Sequence, residues 1–275
     1  MRGAFSLHQV WKHGMRIGVA GIGGRMGLLL ASEIAAAGHM VAGGTLRPGS
    51  GKVPAPDITV LPDLATLAAQ SDVVIDFTHA STVQLHAATL QEAKTAWVLG
   101  TSGLSADDEA AVAQAATGIA VVYAANFSPG VNLVLALAEQ IATALPGESY
   151  DAEIVEMHHR QKVDAPSGTA IGLGRAVARG RNVRLEDVMA SGRDGHTGPR
   201  LPGAIGFAAL RGGQVVGEHT LLFAADSEQI ALTHRAFDRR VFANGAVRAA
   251  GWVAGRGPGL YAMQDVLGIP RRTPA

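Results

Sequence analysis

Alternation of short apolar runs with alanine-rich helical segments constrains the fold of this 275-residue chain more than any other feature. The alternation extends from Met15 to about Phe127. Strands that alternate with helices form βαβ units, whose strands pair in parallel. We therefore predict an α/β lobe with a parallel sheet. The predicted strands are 17–20, 73–77, 96–99 and 119–123, and the predicted helices are 24–37, 81–91 and 105–116.

The pattern changes after Pro129-Gly130, where a long apolar helix over 131–145 is predicted. Beyond it we predict a strand over 152–158, a helix from Pro166, a charged glycine-rich loop over 191–203 and a helix over 239–253. Three strands at 205–210, 214–224 and 229–234 are predicted to be antiparallel, because the connections between them are short. This segment predicts an inserted α+β lobe with a mixed sheet. The predicted domains are 1–128 plus 237–275, and 129–236.

Composition narrows the classes of function. The chain has 23 basic and 23 acidic side chains, so it lacks the basic footprint of a nucleic-acid-binding protein. It has no cysteine, which excludes disulfides, thiolate catalysis and cysteine-ligated metals and fits a reducing cytoplasm. No apolar run approaches the roughly 20 residues of a membrane span. We expect a cytoplasmic protein with no membrane or nucleic-acid partner.

The first fourteen residues lack an uninterrupted apolar core and a small-residue cleavage pattern, so we expect no signal peptide. Met15 immediately precedes the first predicted strand. Translation from Met1 and translation from Met15 both fit the sequence, and a segment before Met15 would be a dispensable extension.

A glycine-rich loop joins the first predicted strand to the first predicted helix. Such a loop lets a dinucleotide pyrophosphate approach bare backbone at a helix N-terminus. It predicts a Rossmann-like nucleotide-binding lobe, although its spacing departs from the standard one because Met26 takes the place of the third glycine. A tight turn without a ligand is the alternative. The candidate residues are Gly21, Gly23, Gly24, Arg25, Met26 and Gly27.

A further strand, the second in chain order, is expected to end near Thr45-Leu46-Arg47, and its end bears on the choice of nucleotide. An acid that would bind the ribose hydroxyls of NAD is absent near Thr45-Leu46-Arg47. Arg47 could instead meet the 2′-phosphate of NADPH, or it could be an ordinary surface cation. NADPH and NADH both remain open as cofactors.

Residues 156–169 concentrate two imidazoles, two cations and a helix start. On a strand, Glu156 and His158 face the same side, and His159 faces the other unless the strand ends between them. If Pro166 lies in the first helical turn, the amides of Ser167, Gly168 and Thr169 form an anion site. The segment therefore predicts an active site in which a small anionic substrate is protonated while it is held.

Two alternatives apply to these histidines. They could simply end a strand at the surface, or they could bind a metal together with His196, His219 and His234. No standard zinc spacing such as His-Glu-x-x-His occurs in the sequence, and we expect no metal.

These motifs together resemble the dihydrodipicolinate reductase family, over a stretch from Met15 to about Gly268. The segment from Glu156 to Ala170 is the most specific of them. The other matching motifs are Gly21 to Gly27, Ile75-Asp76-Phe77-Thr78, Gly100-Thr101-Ser102-Gly103, Ala124-Ala125-Asn126-Phe127-Ser128, Gly217-Glu218-His219-Thr220 and Phe242-Ala243-Asn244-Gly245-Ala246.

The resemblance implies hydride transfer from NADH or NADPH to a cyclic, imine-like dicarboxylate, with loss of water, to give tetrahydrodipicolinate for diaminopimelate and lysine biosynthesis. It implies that His158 donates the proton and that Lys162 holds and polarises the substrate. His159 would shape the pocket. The resemblance implies that a substrate carboxylate is bound by Ser167, Gly168 and Thr169. It implies a second cationic contact to the substrate at Arg239.

The resemblance also implies which residues line the nicotinamide end of the cofactor site, and it implies a homotetramer assembled through the inserted lobe. Members of the family often have an acidic residue at the position of Leu46. The leucine at this position therefore bears on how the ribose is recognised and not on catalysis. The nicotinamide residues are Gly100, Thr101, Ala125 and Phe127, and the further candidate cofactor-binding residues are Ser102, Ala124 and Asn126.

Two other classes of function fit parts of the sequence. A histidine-ligated metal hydrolase would lose its activity with chelators. A non-catalytic nucleotide-sensing module would bind NADPH without changing the absorbance of its reduced ring.

Overall fold

The computed structural model describes residues 14–47, 49–52, 54–55 and 57–270. Residues 1–13 and 271–275, which the prediction assigned to the first domain, lie outside the described residues, as does most of the extension expected before Met15. The chain forms two compact units. The first comprises Met1–Ala124 and Ala243–Ala262, and the second comprises Ala125–Phe242 and Met263–Ala275.

The strands, in chain order, are β1 (Arg16–Ala20), β2 (Met40–Thr45), β3 (Val73–Asp76), β4 (Ala96–Leu99), β5 (Ala120–Tyr123), β6 (Asp151–His158), β7 (Met189–Ser191), β8 (Ile205–Arg211), β9 (Gly217–Ala224), β10 (Gln229–Ala236) and β11 (Gly259–Tyr261). The helices are α1 (Arg25–Ala36), α2 (Leu64–Ala69), α3 (Val83–Glu92), α4 (Ala106–Ala115), α5 (Pro129–Ala144), α6 (Gly168–Gly180), α7 (Leu185–Val188), α8 (Arg240–Val253) and α9 (Met263–Leu267).

The first unit contains a sheet with strand order β11-β5-β4-β3-β1-β2, and every pair in it is parallel. This confirms the predicted parallel sheet. Its central strands are almost fully buried, because helices cover a parallel sheet on its faces. Leu67, Leu90, Trp97 and Val112 belong to one core cluster that joins α2, α3, β4 and α4. The carboxyl ends of the parallel strands therefore share one edge, where candidate ligand-binding loops begin.

The second unit contains a mixed sheet with strand order β10-β9-β6-β8-β7. β6 lies in the middle, parallel to β8 and antiparallel to β9. The predicted mixed sheet and the antiparallel pairing of β9 with β10 are confirmed. α5 and α6 pack on one face of this sheet, where Leu173, Phe207 and Phe223 form its core.

The predicted direct neighbourhood of β8 and β9 is wrong, because β6 lies between them. The glycine connection between the two strands passes the end of β6 instead of closing a hairpin. The Gly212 amide donates to the His158 carbonyl at 2.9 Å, and the Arg160 amide donates to the Gly213 carbonyl at 3.2 Å. The short loop therefore ends β6 at the histidine pair.

The unit limits differ from the predicted domain limits at the C-terminal end of the chain. α8 belongs to the first unit from Ala243 onward, but the residues from Met263 belong to the second unit. The reason is that α9 packs against α5. Among the described residues, no helix combines the length and the apolar character that crossing a membrane requires.

The capping box at α4 is confirmed: the Asp108 amide donates to Ser105 Oγ at 3.2 Å, and Asp108 Oδ2 accepts from the Ser105 amide at 3.0 Å. We predict that Ser105→Ala makes the first turn of α4 easier to open by about 1 kcal/mol, the usual contribution of an N-cap. Amide hydrogen exchange of α4 should become faster, with α3 as the internal reference. Unchanged exchange in α4 would contradict a stabilising cap.

Candidate active site

The glycine loop after β1 leaves the N-terminus of α1 open. Gly24 is the N-cap residue and makes no side-chain cap, and the first turn carries no acidic side chain. A Cβ at Gly27 would lie 2.4 Å from the Ile22 carbonyl oxygen, so only glycine allows the helix to start this close to the turn. The uncapped amides of a first helical turn bind anions. The loop fits the pyrophosphate of a dinucleotide.

Leu46 borders this loop at the end of β2. A Cβ at Gly23 would lie 2.7 Å from Leu46 Cδ2 and 3.0 Å from Lys52 Cβ. An apolar side chain therefore occupies the corner where an acid would bind the ribose hydroxyls of NAD. Arg47 follows as an exposed side chain. Sequence reasoning missed Lys52, because no local pattern in its loop indicates that it returns to the glycine turn.

Gly100, Thr101 and Ser102 follow β4 at the same edge of the first sheet. The Gly100 amide donates to the Asp76 carbonyl at 2.8 Å, and a Cβ at Gly100 would collide with the ring of Phe77. Thr101 is 3% exposed, and its hydroxyl has no hydrogen-bond partner among the described residues. A buried hydroxyl without a partner is costly, so this orphaned group fits a site that a ligand completes.

The segment after β5 continues from the first unit into the second. The Ala124 amide donates to the Leu99 carbonyl at 3.2 Å within the first unit. Ala125, Asn126 and the buried Phe127 belong to the second unit. Asn126 Nδ2 donates to Thr169 Oγ1 at 3.1 Å, so Asn126 reaches the start of α6.

Glu156 and His158 share one side of β6, as the two-residue period of a strand predicts. His158 Nδ1 lies 2.5 Å from Glu156 Oε2. The strand ends at His158, so His159 lies outside it, and His159 Nδ1 is buried without a hydrogen-bond partner among the described residues. An ionised carboxylate only accepts, so the shared hydrogen belongs to Nδ1 of His158. Nε2 makes no hydrogen bond to any described residue and is left for a ligand.

Arg211 completes this arrangement from β8, where it pairs in register with His158. Its guanidinium donates to both carboxylate oxygens of Glu156, at 2.9 and 3.0 Å. Glu156 is only 1% exposed. Burial by itself raises the pKa of this carboxyl, but the hydrogen bonds and charges of Arg211 and His158 lower it below its usual value. Glu156 is therefore ionised at neutral pH.

The pKa of His158 is lowered from its ordinary value. Burial is the largest cause, the carboxylate of Glu156 opposes it, and the charges of Lys162 and Arg211 add to the lowering. Without a bound anion, His158 is therefore mostly neutral at neutral pH.

α6 begins at Gly168, with Ser167 as its N-cap, so the prediction that Pro166 lies in the first turn is wrong. Serine provides the better cap, because its Oγ accepts from the Ala170 amide at 3.2 Å. The Ser167 amide donates to Glu156 Oε1 at 3.3 Å. Ser167 is thus engaged within the protein, and the amides of Gly168 and Thr169 are the ones that lack intrahelical acceptors.

His219 packs against His158, the predicted proton donor. It is 4% exposed, its Nε2 lies 3.1 Å from Ser167 Oγ, and its ring packs edge-on against His158 with centroids 5.0 Å apart. Burial, followed by the charge of His158, lowers the pKa of His219 to about 4. His219 is therefore a neutral neighbour of His158 at physiological pH.

His234 lies opposite His219 as its register partner on β10. His234 Nε2 lies 3.2 Å from Ser128 Oγ, and His196 is exposed in the loop before β8. Within the described ranges, no three side chains of His, Cys, Asp or Glu are arranged to hold a metal ion.

The two cationic side chains that are predicted to bind the substrate, Lys162 and Arg239, lie on loops of the second unit. Lys162 Nζ lies 2.8 Å from both carboxylate oxygens of Asp164, and this contact lowers the pKa of Asp164. Arg239 lies in the turn between β10 and α8.

Acid should destabilise the protein through His219, because its folded pKa of about 4 lies below the unfolded value near 6.5. This stabilising contribution is complete above pH 6.5 and is lost as the pH falls towards 4. It amounts to about 3 kcal/mol at about 1.4 kcal/mol per pH unit. We predict that His219→Gln reduces the difference in thermal midpoint between pH 7 and pH 4, whereas His196→Gln leaves it as in the parent. An equal difference in all three proteins would contradict the buried neutral imidazole.

The chain is similar to known proteins over nearly its whole length. Two family models match nearly the whole chain, "Dihydrodipicolinate reductase, N-terminus" over residues 15–127 and "Dihydrodipicolinate reductase, C-terminus" over residues 130–267. A relative from Granulibacter bethesdensis, named 4-hydroxy-tetrahydrodipicolinate reductase, is 71% identical and covers 93% of this chain and 97% of its own. A relative of the same name from Gluconacetobacter diazotrophicus is 60% identical, with coverage of 93% and 98%.

Solved structures show the same fold. The dipicolinate-bound dihydrodipicolinate reductase of a Paenisporosarcina species has a TM-score of 0.75 at 23% identity, covering 92% of this chain and 98% of its own. GenD2 from gentamicin A biosynthesis, in complex with NAD, has a TM-score of 0.60 at 16% identity, with coverage of 98% and 92%. The family models and the close relatives span both units, and the chain therefore belongs to the dihydrodipicolinate reductase family.

Proposed function

We propose that this chain is a 4-hydroxy-tetrahydrodipicolinate reductase that uses NADH or NADPH, forms tetrahydrodipicolinate with loss of water, and serves diaminopimelate and lysine biosynthesis. The observation that carries the proposal is the hydrogen bond of 2.5 Å between Glu156 and His158 at the end of β6. It leaves Nε2 of His158 free to give a proton. The names of the close relatives support the same reaction.

The substrate has two carboxylates, and the second unit offers them several positive sites. The amides of Gly168 and Thr169 begin α6 and bind one carboxylate at the positive end of the helix dipole. Lys162 binds the substrate after exchanging its present partner Asp164 for it, and Arg239 gives a second cationic contact. His159 shapes the pocket, with its buried Nδ1 available for a hydrogen bond.

Binding of a dianion also prepares the proton donor. A nearby negative charge favours the protonated form of an imidazole and raises its pKa. The substrate therefore offsets the lowering that burial, Lys162 and Arg211 cause at His158. His158 becomes charged when the substrate is present and donates its proton from Nε2 as the substrate is reduced.

NADH or NADPH, when bound, supplies the hydride for this reduction. In the first unit, the proposed contacts to its pyrophosphate are the glycine loop with Arg25 and Met26. Arg47 lies at the ribose corner, and the unpartnered hydroxyl of Thr101 binds near the nicotinamide. The other proposed nicotinamide contacts are Gly100, Ala125 and Phe127, and Ser102, Ala124 and Asn126 are further proposed contacts to the cofactor.

We further propose a cytoplasmic homotetramer, assembled through the face of the second sheet that lies opposite α5 and α6. Val155, Met157, Leu210 and Leu222 lie on this face, and Leu210 is 51% exposed. Contiguous exposed apolar surface is typical of protein interfaces. The cytoplasmic location fits the absence of cysteine from the sequence.

We predict that His158→Gln lowers kcat by about 10²- to 10⁴-fold, the usual contribution of a positioned general acid. The near-ultraviolet absorbance of the reduced nucleotide, followed with freshly generated substrate, measures the rate. His196→Gln is the matched control and should keep the parent rate, because His196 is exposed in another loop. A parent rate in His158→Gln would refute the acid assignment, and no nucleotide oxidation by the unaltered chain would refute the proposed function.

We predict that Arg47→Ala raises the KM for NADPH by about tenfold and leaves the KM for NADH unchanged, since only NADPH has a 2′-phosphate for the guanidinium to bind. Steady-state titration of each nucleotide measures the two KM values. Arg248→Ala removes another exposed arginine of the first unit and should change neither KM. Equal KM values before and after Arg47→Ala would mean that Arg47 is an ordinary surface cation.

A further inference from the structure

Glu156 has more partners than any role in strand packing requires. It accepts from His158 Nδ1, from two nitrogens of Arg211 and from the Ser167 amide. We infer that Glu156, paired with Arg211, is the positioning residue that holds the proton donor and the carboxylate-binding helix start in one fixed arrangement. This inference rests on the proposed function.

The first step of the argument concerns the tautomer of His158. A carboxylate at Nδ1 requires the hydrogen on that nitrogen in the neutral ring, so Nε2 is the nitrogen that gains and loses the transferred proton. Nε2 also lies close to backbone: a Cβ at Gly217 would be 3.0 Å from it. The ring is thus held from Nδ1 on one side and limited by β9 on the other.

The second step concerns Arg211. A carboxylate that is 1% exposed is costly unless it is paired and fully hydrogen-bonded. Arg211 meets this need with two bonds, and its Nη2 also donates to the Asp164 carbonyl at 2.6 Å. The same guanidinium therefore fixes the backbone of the loop that carries Lys162.

The third step concerns the start of α6. Ser167 is held at its amide by Glu156 and at its hydroxyl by His219. The amides of Gly168 and Thr169 follow directly in the chain. The carboxylate of Glu156 therefore determines the direction of these amides as well as the orientation of the His158 ring. A change at Glu156 should affect proton donation first, because the hydroxyl of Ser167 still caps the helix.

The test is Glu156→Gln, which keeps the shape and removes the charge. The charged and titratable groups that face His158 are Glu156, Lys162, Arg211 and His219, with Asp164 beside Lys162. Only Glu156 favours protonation of His158 by direct contact. In Glu156→Gln, the fall of kcat with rising pH should begin at lower pH. We expect kcat at pH 7 to fall by about 10- to 100-fold. This fall is smaller than the one expected for His158→Gln, because the acid itself is still present.

Binding separates positioning from general damage. The dissociation constant of pyridine-2,6-dicarboxylate, measured by calorimetry, should stay within about threefold of the parent value in Glu156→Gln, because the variant loses a negative charge and keeps the cap of α6. If dicarboxylate binding and kcat weaken equally and the pH profile of kcat does not shift, Glu156 has only a structural role. This outcome would overturn the inference.

Glu153→Gln is the matched control. Glu153 lies on the same strand but on its other face, and it is also paired with arginines, Arg193 at 2.9 Å and Arg200 at 2.8 Å. Its loss should leave the pH profile of kcat unchanged. A shift as large as that of Glu156→Gln would show that the profile reports a general loss of charge on β6.

Glu156→Asp keeps the charge with a shorter reach and covers the case in which Glu156→Gln does not fold. It should lower kcat but keep the pH profile close to that of the parent, since the carboxylate remains beside Nδ1. A parent-like kcat in Glu156→Asp or Glu156→Gln, in an assay where the unaltered chain oxidises NADPH or NADH, would overturn the inference and leave the proposed function standing. Failure of the unaltered chain to oxidise either nucleotide would instead overturn the function.

Discussion

The second unit is organised around a buried negative charge. Desolvating a carboxylate costs several kcal/mol, and only a compensating cation with good geometry offsets that cost. Glu156 meets this requirement because β6 lies between β8 and β9, so Arg211 reaches it from one neighbouring strand while His219 lies on the other. Removing one partner of such a pair leaves an uncompensated charge and typically costs about 3–5 kcal/mol. The stability of this sheet and the geometry of the candidate site therefore depend on the same contacts.

The two histidines near this charge have different environments and hence different roles. His219 is buried against Ser167 and remains neutral, with a pKa of about 4. His158 is in direct contact with the carboxylate, which partly opposes the effect of burial on its pKa. His219 can therefore keep its hydrogen bond to Ser167 unchanged while His158 exchanges a proton under the proposed function. Arg211 is paired with Glu156 and Lys162 with Asp164, so under the proposed function Lys162 binds an anionic ligand by exchanging its partner.

Local periodicity predicted much of this structure, and non-local pairing accounts for what it missed. The shared face of Glu156 and His158 and the cap at Ser105 each follow from a few consecutive residues, and the parallel sheet of the first unit follows from the alternation of strands and helices between Met15 and Phe127. The contact of Arg211 with Glu156 joins positions 55 residues apart, and it exists only because β8 pairs with β6. No sequence window indicates that pairing, and the short glycine link between β8 and β9 favoured a hairpin instead. Lys52 beside Gly23 and α9 against α5 were missed for the same reason.

The tautomer of His158 tests the central claim most directly. Nitrogen-15 NMR of the histidine side chains, with His158→Gln used for assignment, reports which ring nitrogen carries the hydrogen in the neutral form. The account predicts a protonated Nδ1 and an unprotonated Nε2 that gains its proton when pyridine-2,6-dicarboxylate binds. A neutral ring with its hydrogen on Nε2 would contradict the account, because Glu156 would then have no hydrogen to accept from His158.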